Sequence, residues 1–153
     1  MAASDVWADK LAVQETINRY SDAANRADWD ALQRCYAPGS VWEVVEPLQL
    51  RFEEPAGIRN GVVSYIGEVD TFIQTVHNTV VTLGETGTAH ARSTLQEIVR
   101  TEGKFDLVLW GITYDELVRW EADWKFSRRS FHGVYVDRSP MGGVSSLSRR
   151  DLD

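Results

Sequence analysis

A chain of 153 residues and 17.3 kDa predicts one domain with a single hydrophobic core. An apolar share of 43 % and a charged share of 25 % exclude a disordered or fibrous chain, and charges interrupt every apolar run before it reaches the roughly 18 residues of a membrane span. The net charge of −7 argues against a nucleic-acid partner, because phosphate binding needs a basic face, and Arg128–Arg129 and Arg149–Arg150 are the only local basic pairs.

In chain order, the first half reads as helical. Val6, Val13, Ile17, Tyr20 and Ala24 fall on one stripe, with Lys10, Glu15, Arg19 and Arg26 opposite. Asp28 is placed to cap a second helix over Trp29–Tyr36, closed by Pro38-Gly39. Ser40–Phe52 is β-rich, and Pro55 and Gly57 mark Glu53–Asn60 as a turn. A third helix is expected from Asn60-Gly61, with Val62, Ile66, Val69 and Ile73 on one face.

The second half reads as antiparallel strands. Thr79–Leu83, Thr88–Arg100, Phe105–Arg119 and Trp124–Tyr135 are separated by GETG at Gly84–Gly87, TEGK at Thr101–Lys104 and a turn at Glu121–Asp123. Residues 1–137 are expected to form the domain. Residues 138–153, rich in Ser, Gly, Arg and Asp, are expected to be loop or disordered. Helices first and a meander afterwards predict an α+β fold, with a curved sheet wrapped around the helices into a cone. The cone's open end is a natural pocket, and six Trp, five Tyr and five Phe suit either a large core or the walls of such a pocket.

Cys35 is the single cysteine, so no intramolecular disulfide and no multi-thiolate zinc site can form. The opening MAASDVWADK lacks a basic stretch followed by an apolar core, so no secretory leader is expected and the chain reads as cytoplasmic. His77, His90 and His132 lack metal-ligand spacing, so no metal is expected. Gly-rich nucleotide motifs and a nucleophile elbow are absent, so neither a nucleotide cofactor nor a serine-hydrolase mechanism is expected.

Several segments in a fixed order resemble the SnoaL-like branch of the NTF2-like, cystatin-type α+β cone superfamily. They are AVQETINRYSDAANRADWDALQRCYAPGSVW at Ala12–Trp42, NGVVSYI at Asn60–Ile66, TVHN at Thr75–Asn78, ARS at Ala91–Ser93 and GITYDELVRWEADWKFSRR at Gly111–Arg129. That superfamily includes scytalone dehydratase, hexachlorocyclohexane dehydrochlorinase, ketosteroid isomerase and polyketide cyclases. The resemblance implies a curved, mixed but mainly antiparallel sheet around a long N-terminal helix with two further helices. It also implies a cofactor-independent lyase or isomerase acting on a small apolar or aromatic cyclic substrate.

In the elimination enzymes of the family, a His on the strand after the third helix works with an Asp on the first. Imidazole titrates near neutrality, and a carboxylate on its far nitrogen fixes the tautomer. His77 fits the His position through Thr75-Val76-His77; aligning Asn78 with the Asn that often follows that His puts Gln74 there instead. Asn25 stands where those enzymes have the Asp, and Asp22, one turn earlier, is a candidate replacement. On this resemblance Asn25→Asp restores the acid. Tyr20, Trp42, Tyr65, His90, Trp110 and His132 are candidate substrate contacts, although His90 shares a polar strand face with Arg92, Thr94 and Gln96 that reads equally as solvated.

Other readings compete. Asn25 suits a ligand-binding or assembly module on the same cone, and a dioxygenase small subunit shares the fold. The expected partners are a small molecule and a second or third copy of the chain across the sheet's outer face, with no nucleic acid and no membrane. In some relatives a C-terminal segment closes the pocket, and Met141 is its candidate apolar contact here.

Overall fold

The computed structural model describes residues 3–46 and 48–149. Helix α1 (Ala3–Arg26) turns the predicted stripe inward: Val13, Ile17, Tyr20 and Ala24 are buried, and Val6 is half-buried. Each fully buried aliphatic or aromatic side chain of this size contributes roughly 1.5–3 kcal/mol. Ala27, at φ 58°, ends α1, and Asp28 Oδ1 accepts from Ala31 N at 2.9 Å to cap α2 (Trp29–Arg34). This second helix is shorter than expected, because Tyr36 already pairs with Phe126 as the start of strand β1 (Tyr36–Glu46).

After β2 (Leu50–Glu53), helix α3 (Pro55–Ile66) begins before the expected Asn60. Pro55 sits in its first turn, where a missing N–H costs nothing, so residues that read as turn formers are helical. A Cβ on Gly61 would strike the Phe52 ring; glycine there lets α3 lie directly on β2. The helix stops before Gly67, so Val69 and Ile73 do not continue its face. Ile73 instead lies in β3 (Thr71–Leu83) with its side chain exposed.

Strands β4 (Thr88–Thr101), β5 (Phe105–Trp120) and β6 (Asp123–Asp137) form the predicted meander. The six-stranded sheet has the order β2-β1-β6-β5-β4-β3, with β1 parallel to β6 and all other neighbours antiparallel. Helix α1 packs chiefly on β3, inside the curl of the sheet. Two of the register irregularities bear on which polar side chains face inward. β3 carries an extra residue at His77, between Val76 and Asn78, and β6 carries one at Ser127, between Phe126 and Arg128.

Beyond β6 the described part of the tail has almost no regular structure, yet it is tied to the body. Met141 N donates to Asp106 Oδ2 at 2.9 Å, Thr71 and Ser145 share a hydroxyl hydrogen bond, and Arg100 donates to the Gly143 carbonyl. Arg149 is buried across the rings of Trp29 and Phe72 and donates to the carbonyls of Ala24 and Ile66, at the ends of α1 and α3. Arg150 and the three residues after it lie outside the described residues.

Candidate active site

Between the helices and the sheet lies a cavity of about 280 Å³. Val44, Phe72, Leu95, Val99, Leu109 and Phe131 make its sheet wall, and Tyr20, Ala24, Val62 and Ile66 its helical wall. The exposed Leu48, Tyr65, Phe105, Val136 and Arg138 mark its open end. Gly111 lets the Phe131 ring close against β5, since a Cβ would run into it. An apolar cavity of ~150 Å³ is enough for benzene, so this one accommodates one or two rings.

A polar cluster interrupts the apolar wall. Gln74 and Glu97 sit opposite each other on β3 and β4, and Gln74 Nε2 donates to Glu97 Oε1 at 2.7 Å. Ser21 Oγ donates to Gln74 Oε1 at 2.6 Å, which fixes the orientation of the amide. Asn25 holds the backbone of the same residue from both sides: its Oδ1 accepts from Gln74 N at 2.7 Å and its Nδ2 donates to Gln74 O at 3.0 Å. Among the lining residues Glu97 carries the one carboxyl. Burial raises its pKa above the ordinary glutamate value, against the opposing effects of the Gln74 hydrogen bond and the Arg129 charge.

Arg129 closes this end of the cavity. Its guanidinium lies over the rings of Tyr20, at 4.3 Å, and Phe126, at 4.8 Å, and its Nε is 3.4 Å from Asp115 Oδ1. Nη1 and Nη2 are buried without hydrogen-bond partners, as is the hydroxyl of Thr113 in the cavity wall. Burial pushes the Asp115 carboxyl up to about 6 and the Tyr20 phenol up to about 12. Tyr20 is therefore a neutral donor at physiological pH. Groups of three or more His, Cys, Asp and Glu able to hold a metal are absent among the described residues.

The structure brings Tyr20, Trp42 and Tyr65 to the cavity and keeps the other predicted contacts away from it. Trp42 stacks on Phe52 in the wall, at 5.7 Å between ring centres. His77 does not reach the cavity. As the extra residue of the β3 bulge it points outward, is exposed, and stacks on Trp110 at 4.7 Å on the outer face of the sheet. Gln74 occupies the inward place. Asp22 is exposed on α1 and paired with Arg26 Nη2 at 2.8 Å, so it meets neither His77 nor the cavity. Asn25 serves Gln74, not a histidine. His90 is exposed on the outer face of β4, and His132 lies against Tyr114 and Ser130 outside the cavity. Met141 is not among the cavity's lining residues, which at this end of the chain are Val136 and Arg138.

Glu97, Arg129 and Thr113 are the cavity residues that the sequence reading passed over. For Glu97 a signal existed. Strict alternation along β4 sets Ala89, Ala91, Ser93, Leu95, Glu97 and Val99 on one face, so an acid stands in a row of small and apolar residues. For Arg129 none did, because the bulge at Ser127 exchanges it for Arg128.

Fold and cavity define a class: an α+β cone whose sheet encloses a largely apolar chamber with a few polar groups at one end. The family model of the SnoaL-like domain matches residues 5–130, and the chain belongs to that family. Three solved structures illustrate the likeness. A candidate scytalone dehydratase of Novosphingobium aromaticivorans superposes with a TM-score of 0.81 at 15 % identity, over 92 % of this chain and 93 % of that one. A candidate aromatic ring hydroxylase of the same organism gives 0.78 at 21 %, over 86 % and 93 %. The hexachlorocyclohexane dehydrochlorinase LinA-type3 of Novosphingobium barchaimii gives 0.77 at 17 %, over 95 % and 99 %. At these identities the likeness is one of fold. No curated protein matches the chain. No described helix is long and apolar enough to cross a membrane.

Proposed function

We propose that this chain is a lyase- or isomerase-type enzyme that takes a small apolar or aromatic cyclic molecule into the cone and works on it at the polar end of the cavity. The observation that carries this reading is the composition of the wall. Apolar side chains surround a short polar cluster, Gln74, Glu97, Thr113 and Arg129, within one enclosed space. Such a cavity holds a ring by burial and aims a few polar groups at one edge of it. The dehydratase-like and dehydrochlorinase neighbours are named for eliminations on ring compounds, which supports the same reaction class. A histidine-based mechanism is not part of the proposal, because His77 is on the other face of the sheet.

A binding module without turnover is the second reading. The observation favouring it is that Asn25, which the resemblance places at the Asp position of the elimination enzymes, spends its amide on the backbone N–H and carbonyl of Gln74.

One experiment separates the two. One- and two-ring hydroxy, halo and keto compounds are incubated with the protein in heavy water. Binding is followed by tryptophan fluorescence, and loss of water, halide or protium by mass spectrometry. The enzyme reading expects at least one compound to be converted, and conversion to be blocked by Val44→Phe, which fills the cavity. Compounds that bind and emerge unchanged would establish the binding module.

A further inference from the structure

We propose that Glu97 is the acid–base residue of this cavity, with Gln74 as its positioning residue, acting on ring compounds that carry an acidic C–H beside a leaving group or a carbonyl. The inference rests on the proposed use of the cavity for small cyclic molecules and adds the group that moves the proton.

Four observations point to this glutamate. It is the one carboxyl among the lining residues, while the fully buried acid, Asp115, is committed to Arg129 and is not part of the wall. A glutamate kept for structure alone would be expected to pair with the nearby guanidinium; Gln74 is instead its hydrogen-bond partner, through one oxygen. The partner is held rigidly. Ser21 fixes the amide's orientation and Asn25 fixes the backbone at that point of β3, so the carboxyl is aimed by a chain of hydrogen bonds running from α1. Finally, the surroundings suit proton transfer. Burial weakens the carboxylate as an anion and strengthens it as a base, which moves it toward the pH at which it both takes and returns a proton.

The alternatives in the molecule do not fit. The Tyr20 phenol, pushed up to about 12, cannot act as a base near neutrality. The Cys35 thiol is pushed up by burial to about 11 and is not among the lining residues. The three histidines lie on the outer face. The charged and titratable groups that face Glu97 are Tyr20 from α1 and Arg129 from β6, with Asp115 of β5 behind Arg129. β3 contributes only the neutral Gln74.

The test uses the whole protein and 5-nitrobenzisoxazole, a flat two-ring probe that decomposes by base-promoted elimination. The Glu97 carboxylate takes the proton from the ring carbon. The C–H electron pair becomes the third bond of a nitrile, the N–O bond breaks, and the oxygen leaves as a coloured phenolate. No other reactant is needed. The expected result is saturable turnover that falls about 100-fold or more in Glu97→Gln, the lower end of what a positioned base supplies. Probe binding, read by quenching of tryptophan fluorescence, should stay within a factor of about two, because that exchange is isosteric.

The rate of the native protein should rise with pH through an inflection above the ordinary glutamate range. Gln74→Met should move that inflection further up, since it removes a hydrogen bond that holds the carboxylate ionised, and a merely structural glutamine would leave it in place. If Glu97→Gln does not fold, Glu97→Asp and the native pH profile decide, with slower turnover and a retained carboxylate inflection expected. A probe that binds and is converted equally by native protein and Glu97→Gln would overturn the assignment while leaving the cavity reading intact. Failure of the probe and of other ring compounds to bind would overturn both.

Discussion

Arg129 and Asp115 meet inside the cone with Nε 3.4 Å from Oδ1 and both side chains closed off from solvent. Neither carboxylate oxygen has a hydrogen bond of good geometry, so the pair rests on charge attraction within a low-dielectric interior. Such a pair contributes little relative to an apolar filling, but breaking it leaves an uncompensated charge. Asp115→Ala is therefore expected to cost about 3–5 kcal/mol. The double exchange Asp115→Leu with Arg129→Met should recover most of that loss, as read by urea unfolding.

The same pair sets a pH dependence. Asp115 holds its proton more tightly when folded, at about 6, than the ordinary aspartate value near 3.9 allows in the unfolded chain. Its contribution is thus fully present below the unfolded value and is lost as pH rises through about 6. Between pH 4 and pH 7 the loss from this group is on the order of 2 kcal/mol. Relative to Asp115→Asn, the native protein should therefore gain unfolding free energy on acidification from pH 7 to pH 4. An equal slope for the two proteins would contradict this.

Asn25→Asp is expected to weaken the protein and not to restore an elimination enzyme. Asn25 accepts from Gln74 N and donates to Gln74 O, as a ladder neighbour would, and aspartate cannot do both. The exchange leaves a carbonyl without its donor beside a new negative charge, at about 1–3 kcal/mol. A melting temperature equal to that of the native protein would count against this account of the contact.

His77→Ala should leave ligand affinity and turnover at the cavity within about twofold of native, because the ring lies outside the cone against Trp110. A loss of turnover comparable to that expected for Glu97→Gln would return the proton-transfer role to the histidine.

Arg149→Ala should loosen both helix ends that the tail fastens. The guanidinium donates to the carbonyls of Ala24 and Ile66, and truncation leaves buried acceptors unpaired, at about 1–3 kcal/mol. Hydrogen exchange should accelerate at the last turns of α1 and α3 before it does in β4 and β5. Uniform acceleration throughout the chain would show that the tail does not fasten these ends locally.

Much of the architecture is legible in the chain itself, because it depends on short-range patterns. The buried face of α1 follows from the spacing of Val13, Ile17, Tyr20 and Ala24, the start of α2 from Asp28, and the meander from Gly84–Gly87 and Thr101–Lys104. The family, too, is carried by ordered segments of sequence, and the cone follows from it.

The site was decided by strand pairing. Along β3 a period of two puts Phe72, Gln74 and Val76 on the inner face and His77 on the outer, and the bulge formed with β4 resets that phase so that Thr79 and Val81 face inward beyond it. Along β6 a second bulge brings Arg129 inward in place of Arg128. Both choices arise from contacts between residues far apart in the chain, and a shift of one residue exchanges the inner face of a strand for the outer. Sequence by itself determined the cone and the inward-facing stripe of its long helix. Only the tertiary structure decided that Arg129 and not Arg128 turns inward, that Gln74 and Glu97 meet there, and that all three histidines stay outside.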